Sequence, residues 1–241
     1  MLSAVFDAFQ LKKFPDLLLA AGQTPPLLTT SKHDVVTSDE KSERVFAGLQ
    51  KRLTRLGLKQ LLYAWLSEQK DSPNLLFIYM RKLFSKANFK EDDFSDADIL
   101  ALHHLAKKVF KEKHRMIEFV RFQKTKDNTY FSIIAPDHNV LPLILGHFKD
   151  RFADQQWAIY DEKRNYGFYY DMKSIGEIKL DDDAPIINGK LDESSLADDE
   201  VLLQKSWQSY FKALSIKERL NPRLHRQHVP QRYWKYLTEK T

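Results

Sequence analysis

Apolar residues in the first half of the chain recur every three or four positions, which is the spacing of one face of an α-helix. One such face follows Thr37 and holds Val45, Phe46, Leu49, Leu53 and Leu56. Another follows Ser95 and holds Ile99, Leu102, Leu105, Ala106, Val109 and Phe110. A stretch rich in Pro, Gly, Ser and Thr at 22–38 has the chemistry of a loop. The pattern predicts a helical region over residues 1–113.

After residue 113 the pattern changes to segments rich in aromatic and β-branched residues, which favour strands. The expected elements are strands at Arg115–Gln123 and Thr129–Ala135, a helix at about 139–152, and strands at Gln156–Tyr160 and Tyr166–Asp171. This β-β-α-β-β order over residues 114–180 is typical of an antiparallel sheet with a helix across one face. The sequence therefore predicts an α+β fold.

Charged residues are unevenly distributed over the rest of the chain. The net charge is only +5, but residues 181–200 are rich in Asp and Glu, and residues 201–241 are rich in Lys and Arg. An apolar face at Leu202–Leu214 predicts a helix in the basic part. We therefore expect a helical region 1–113, a sheet region 114–180, an acidic surface loop 181–200, and a helical basic tail 201–241 packed on the sheet region.

Composition limits the classes of function. The chain contains no cysteine, so its side chains form no disulfide, no thiolate zinc site and no cysteine-bound iron–sulfur cluster. The start lacks the basic and apolar pattern of a signal peptide. The longest apolar runs are far below the roughly 20 residues that cross a bilayer. These features predict a soluble protein of the cytoplasm with no membrane partner.

Arginines beside aromatic rings are the strongest functional signal, because guanidinium groups bind phosphates and rings stack on bases. Arg115, Phe119 and Arg121 have the even spacing that places residues on one face of a strand. Other guanidinium groups cluster near the end of the chain. The predicted nucleic-acid-binding residues are Arg115, Phe119, Arg121, Arg151, Arg219, Arg223, Arg226, Arg232 and Trp234. The alternative is that the rings form the core and that the strand arginines pair with Asp137 or Glu118.

Catalytic residues are harder to find. His114 and His138 lie at predicted strand boundaries, and Asp137 would orient one of them as an acid–base pair. A helix-capping role for Asp137 is the competing interpretation. The sequence contains no P-loop, no Gly-x-Gly-x-x-Gly and no deaminase metal motif. We predict no metal site and leave the question of an enzymatic activity open.

The residues that carry these signals also carry a family resemblance. The matching stretches include His114-Arg115-Met116, Phe119-Val120-Arg121-Phe122, Pro136-Asp137-His138, Arg219-Leu220 and Tyr233-Trp234, with Val5-Phe6-Asp7-Ala8-Phe9 in the first half. Together they resemble a bacterial family of uncharacterised proteins described as putative DNA repair or DNA metabolism proteins. Members often begin with a short Tyr-Asp-Gly segment that is not found here. This difference implies either a start upstream of Met1 or the loss of an edge strand.

The resemblance implies partners as well as a process. Members of the family tend to occur beside a radical-SAM protein, and related domains are fused to uracil-DNA glycosylase. By this resemblance, the chain itself carries no cofactor, and a partner holds the iron–sulfur cluster and S-adenosylmethionine. We expect a DNA-binding accessory protein of a repair or base-modification system. The alternatives are an enzyme acting on a damaged base through His114, Asp137 and His138, and a protein-interaction adaptor.

Overall fold

The computed structural model describes residues 1–181, 186–187 and 189–240. By contacts between its residues, the chain divides into two compact units, Met1–Phe110 and Lys111–Thr241. The four regions drawn from the sequence stay a prediction. The mixed helix and strand content confirms the α+β class, with helices in the N-terminal half and in the C-terminal tail.

Helices build the first unit. They are α1 (Leu2–Leu11), α2 (Asp39–Arg52), α3 (Arg55–Leu66), α4 (Ser72–Ser85) and the first part of α5 (Ala97–Phe119). Ser38 caps α2 and Thr54 caps α3, since the hydroxyl of each accepts a hydrogen bond from a backbone N–H in the first turn. Most residues of the two predicted apolar faces meet in one core that includes Leu49, Leu83 and Leu102. Three members of these faces, Phe46, Leu56 and Phe110, are instead exposed.

Helix α5 is longer than its predicted end at residue 113, and it corrects the strand expected at Arg115–Gln123. The helical period of buried residues continues through Met116 and Phe119, so the segment buries one side as a helix. Only Gln123–Lys124 forms a strand, β1. Aromatic content was a weak guide here, because strand propensity depends on the packing around it. The proposed shared strand face of Arg115, Phe119 and Arg121 is therefore wrong.

Five strands form the sheet of the second unit, in the order of the chain. They are β1, β2 (Tyr130–Ile134), β3 (Trp157–Asp161), β4 (Tyr166–Tyr170) and β5 (Ile175–Ile178). Strands β2 and β3 run parallel, and the other neighbours are antiparallel. The all-antiparallel arrangement expected from the sequence is therefore wrong. Helix α6 (Leu141–Arg151) connects β2 to β3, and a crossover of this kind joins parallel strands.

A different part of the second unit packs on each face of the sheet. On one face, the ring of Phe148 on α6 packs with Trp157 and Phe122 at centroid distances of 6.2 and 5.6 Å. On the other face, Phe131, Ile133, Ala158 and Tyr160 form a core with residues of the C-terminal tail, among them Tyr236. The tail therefore packs on the sheet.

The last part of the chain contains short elements around two helices. These are β6 (Ile186–Ile187), β7 (Lys190–Leu191), α7 (Glu200–Leu214), α8 (Pro222–His228), and 3₁₀ turns at Glu193–Ser195, Lys217–Arg219, Gln231–Tyr236 and Thr238–Lys240. Helix α7 confirms the helix expected at Leu202–Leu214. Of the predicted acidic loop 181–200, residues 182–185 and 188 lie outside the described residues.

Candidate functional site

A buried carboxylate, Glu112, organises the polar groups of the second unit. It lies on the apolar side of α5 and is 2% exposed. Its oxygens accept hydrogen bonds from the backbone N–H groups of Asp137 and His138, at 2.9 and 2.8 Å, and from the hydroxyl of Tyr233. Arg232 Nη2 lies 3.4 Å away. One side chain thereby joins α5, the loop after β2 and the tail.

These contacts set the ionisation of the cluster. Burial pushes the pKa of Glu112 up, but the hydrogen bonds from Tyr233 and from the two backbone N–H groups bring it below its usual value. Burial and the neighbouring Glu112 carboxylate raise the pKa of the Tyr233 hydroxyl beyond its usual range. Glu112 is therefore a carboxylate and Tyr233 a neutral donor at neutral pH.

A second buried carboxylate, Asp161, is the last residue of β3. It is fully buried and accepts hydrogen bonds from Arg164 Nη1 at 2.8 Å and from the backbone N–H of Lys163 at 3.0 Å. Arg164 also donates to the carbonyls of Pro136 and Asp137. Burial raises the pKa of Asp161 in spite of the Arg164 guanidinium. This pair fixes the loop that follows β2 against the loop that follows β3.

The three catalytic candidates are placed differently. Asp137 forms an ion pair with Arg232 at 2.9 Å, and the His138 side chain is 12% exposed with Nε2 3.9 Å from Glu112 Oε2. His114 is exposed on α5. His114 lies two positions after Glu112, and two positions correspond to a rotation of about 200° around the helix axis. His114 therefore points away from the side that carries Glu112. The structure brings Asp137 and His138 together with Glu112, where their contacts tie loops together.

Four predicted nucleic-acid-binding residues have structural contacts. Arg121 pairs with Glu239, with Nη2 2.9 Å from Oε1. Phe119 is 9% exposed and packs against Tyr233, so its ring is not a surface platform. Arg232 belongs to the Glu112 cluster, and the indole N–H of Trp234 donates to the carbonyl of Val229. Arg121 and Arg232 thus already face carboxylates. The partner of Arg121 is Glu239, not the Asp137 or Glu118 considered from the sequence.

The other five arginines are accessible. Arg115 is half-buried on α5, and Arg151 is exposed at the end of α6. In the tail, Arg219, Arg223 and Arg226 are exposed, and none forms an ion pair with any residue that the structure describes.

Helix α8 fixes the geometry of the tail arginines. The side-chain oxygen of Asn221 caps the helix by accepting from the N–H of Leu224 at 3.0 Å, and Pro222 occupies the first turn. Arg223 and Arg226 are three positions apart, so they lie on one side of α8. Arg219 is in the preceding 3₁₀ turn. The three guanidinium groups therefore belong to one short, locally ordered segment.

Exposed apolar residues accompany these arginines. Trp207 and Tyr210 on α7 have ring centroids 5.8 Å apart, and both are exposed. Leu214, Leu220 and Leu224, which follow along the chain, are also exposed. We call Trp207, Tyr210, Arg219, Arg223 and Arg226 the tail surface. These side chains come from one stretch of the chain, which carries both exposed positive charge and exposed rings, the two features that bind nucleic-acid strands. The indole N–H of Trp207 donates to Glu239 at 3.1 Å.

Sequence reasoning missed Glu112, Asp161 and Arg164 as organising residues. A signal for Glu112 is present, because it takes an apolar-stripe position between Val109 and Met116 on α5. A carboxylate at such a position is buried and needs donors. No comparable pattern marks Asp161, whose partners come from the three-dimensional fold.

Two further features bear on function. Among residues 1–181, 186–187 and 189–240, no three His, Asp or Glu side chains are grouped so that they could hold a metal ion. Nor does any helix within those ranges have the length and apolar character needed to span a membrane.

Comparison with known proteins places the chain in a family. No curated protein and no solved structure matches it. A family model, the domain of unknown function DUF4130, matches residues 70–239. This range runs from just before α4 into the last 3₁₀ turn, and it includes Glu112 and the tail surface. Because the match covers well over half of the 241 residues, the chain belongs to the DUF4130 family.

Proposed function

We propose that the protein binds DNA as an accessory component of a DNA repair or base-modification system in the cytoplasm. The observation that supports this most is the tail surface, where Arg219, Arg223 and Arg226 are exposed without a carboxylate partner among the described residues. Elsewhere in the second unit, Arg121, Arg164 and Arg232 are held in ion pairs. Unpaired guanidinium groups are the ones available to phosphates.

The rings of the tail surface extend this proposal to exposed bases. Stacking of a base on an aromatic ring contributes about 1–3 kcal/mol and tolerates any sequence. Trp207 and Tyr210 lie on α7, shortly before the arginines in the chain. Such a surface favours single-stranded DNA or the opened part of a duplex, and it reads little sequence.

The partner in this proposal comes from the family resemblance. A radical-SAM protein would supply an iron–sulfur cluster and S-adenosylmethionine, since this chain has no cysteine to hold such a cluster. The protein would then bring DNA to a cofactor that its partner carries. A uracil-DNA glycosylase is the second partner that the resemblance suggests.

Binding is tested with labelled single- and double-stranded DNA titrated with the whole protein between about 50 and 200 mM salt. If Arg115, Arg151 and the three tail arginines each neutralise a phosphate, affinity falls by roughly 100- to 500-fold over this range. Fluorescence anisotropy measures the change. Binding that is absent, or that does not respond to salt, refutes the proposal.

An adaptor function is the second candidate, and a specific observation favours it. Leu203, Trp207, Tyr210 and Leu214 are exposed on α7, and an apolar helix face of this kind also suits a protein partner. The enzyme alternative has less support, because Asp137 and His138 face Arg232 and Glu112. Salt-insensitive capture of a radical-SAM protein without any DNA binding would favour the adaptor.

A further inference from the structure

A cleft lies where the tail crosses the sheet of the second unit. It has about 330 Å³ of empty space, its open mouth included. Its polar lining comes from six residues that are far apart in sequence: Arg121, Gln123, Lys190, Gln204, Tyr236 and Thr238. Ile133 of β2 also lines it. The cleft shares no lining residue with the Glu112 cluster or the tail surface.

The lining can donate many hydrogen bonds and carries positive charge. None of its described residues is Asp or Glu. Three carboxylates contact lining residues, and all three already accept hydrogen bonds. Glu239 pairs with Arg121, and Glu162 accepts from Tyr236 at 2.6 Å and from Lys235 at 3.0 Å. Glu200 accepts from Gln204 Nε2 at 2.9 Å and from the backbone N–H of Lys124 at 3.1 Å. The cleft thus has hydrogen-bond donors and positive charge, but no carboxylate among its described lining residues.

Some of these donors have no partner within the described part of the chain. Lys190 forms no ion pair or side-chain hydrogen bond there, and neither does the amide of Gln123. Arg121 uses four of its five N–H groups on Glu239, Glu118 and Val120, which leaves one. Burial lowers the pKa of Lys190, and no carboxylate counters this effect. Partial burial of an unpaired cation costs free energy, and a bound anion would offset this cost.

We infer that this cleft binds a phosphate group, with Lys190 as its charge partner and Gln123, Gln204 and Arg121 as further donors. A phosphate has several acceptor oxygens, which suits donors that approach from β1, β7 and α7. Resting on the function proposed above, the phosphate belongs to a DNA strand, and a free phosphate compound is the other source with the same chemistry. The cleft would hold one phosphate in place while the tail surface contacts the rest of the strand.

The test compares wild-type protein with Lys190→Gln, and uses Lys173→Gln as the matched control. Lys173 is an exposed lysine between β4 and β5, outside the cleft. The probes are inorganic phosphate, acetate, and a short single-stranded oligonucleotide with and without a 5′-phosphate, each titrated by calorimetry. We expect Lys190→Gln to weaken phosphate or oligonucleotide binding about tenfold or more, because a hydrogen bond to a charged group is lost. Lys173→Gln should change it by less than about twofold.

The outcomes separate the cleft from the proposed function. Phosphate binding that depends on Lys190, without any DNA binding, supports the cleft and refutes the DNA function. DNA binding that is unchanged in Lys190→Gln, together with no affinity for inorganic phosphate, overturns the cleft and leaves the DNA function standing. Equal binding of acetate and phosphate also overturns the assignment of a phosphate.

A second variant guards against a folding defect. Gln123→Ala removes a neutral donor from the same cleft and leaves all charges in place, so it should weaken phosphate binding by about fivefold. Circular dichroism on heating confirms that each variant is folded. The proposed position of the phosphate is contradicted if Gln123→Ala binds phosphate as well as the wild type while Lys190→Gln has lost the affinity.

Discussion

Removal of the Glu112 carboxylate should destabilise the second unit strongly. The Glu112→Ala substitution leaves three donors without an acceptor, namely the N–H groups of Asp137 and His138 and the hydroxyl of Tyr233. Each unsatisfied donor costs about 1–3 kcal/mol. We expect a total loss of about 3–5 kcal/mol, which is also the usual effect of removing one partner from a buried ion pair.

Urea unfolding followed by circular dichroism, together with calorimetry, measures this loss. For a unit of this size, about 4 kcal/mol corresponds to a fall in Tm of roughly 10–20 °C. Glu118→Ala is the matched control, because Glu118 is an exposed glutamate on the same helix. It should change stability by less than about 0.5 kcal/mol. If Glu112→Ala behaves like this control, the reasoning about the buried carboxylate is refuted.

Two further predictions concern the same unit. Hydrogen bonds hold the pKa of Glu112 below its usual 4.5. The stability that wild type gains over Glu112→Gln is therefore present above that pH and is lost as the pH falls through the lower folded-state pKa. Urea unfolding at about pH 6, 4.5 and 3 measures the difference in stability between the two proteins, and a difference that does not change with pH contradicts this prediction. Gly167→Ala on β4 should cost about 1–3 kcal/mol, because the added Cβ would lie 2.7 Å from the carbonyl oxygen of Ile159. Gly176→Ala on β5 is its control, since the added Cβ there meets no atom within 4 Å, and equal stabilities of the two variants would refute the argument.

Periodicity predicted most of the helices, and residue composition predicted β2, β3 and β4. The failure at α5 has a clear cause. Residues 114–123 combine aromatic rings with β-branched residues, a composition that favours a strand. The spacing of Val109, Met116 and Phe119 continues the helical stripe, and burial of that stripe decided the local structure. Tertiary packing overrides local propensity where an apolar face has a core to enter.

The parallel pairing of β2 and β3 has a signal in the sequence. Both strands are buried over most of their length, and their sequences are nearly continuous runs of apolar and aromatic residues. Such runs are typical of parallel strands covered on both faces, whereas antiparallel strands with one open face alternate. The predicted helix between them already indicated a crossover.

The candidate sites were less predictable because they depend on contacts between distant residues. Arg121 and Glu239 are 118 positions apart, and Glu112 and Tyr233 are 121 apart. A single sequence shows that arginines are present, but not which of them pair with carboxylates. The tail arginines were predicted because their segment is locally basic, and a local pattern is what a sequence shows best.

The central claim is that the tail arginines contact DNA, and the salt dependence of binding tests it most directly. The measurement compares wild type, the triple variant Arg219→Gln/Arg223→Gln/Arg226→Gln, and a control with the same charge change at three exposed lysines of the first unit, Lys51, Lys70 and Lys90, each replaced by Gln. The plot of log affinity against log salt should become shallower by about 2–3 in the triple variant and stay unchanged in the lysine control. Equal slopes for all three proteins would contradict the account.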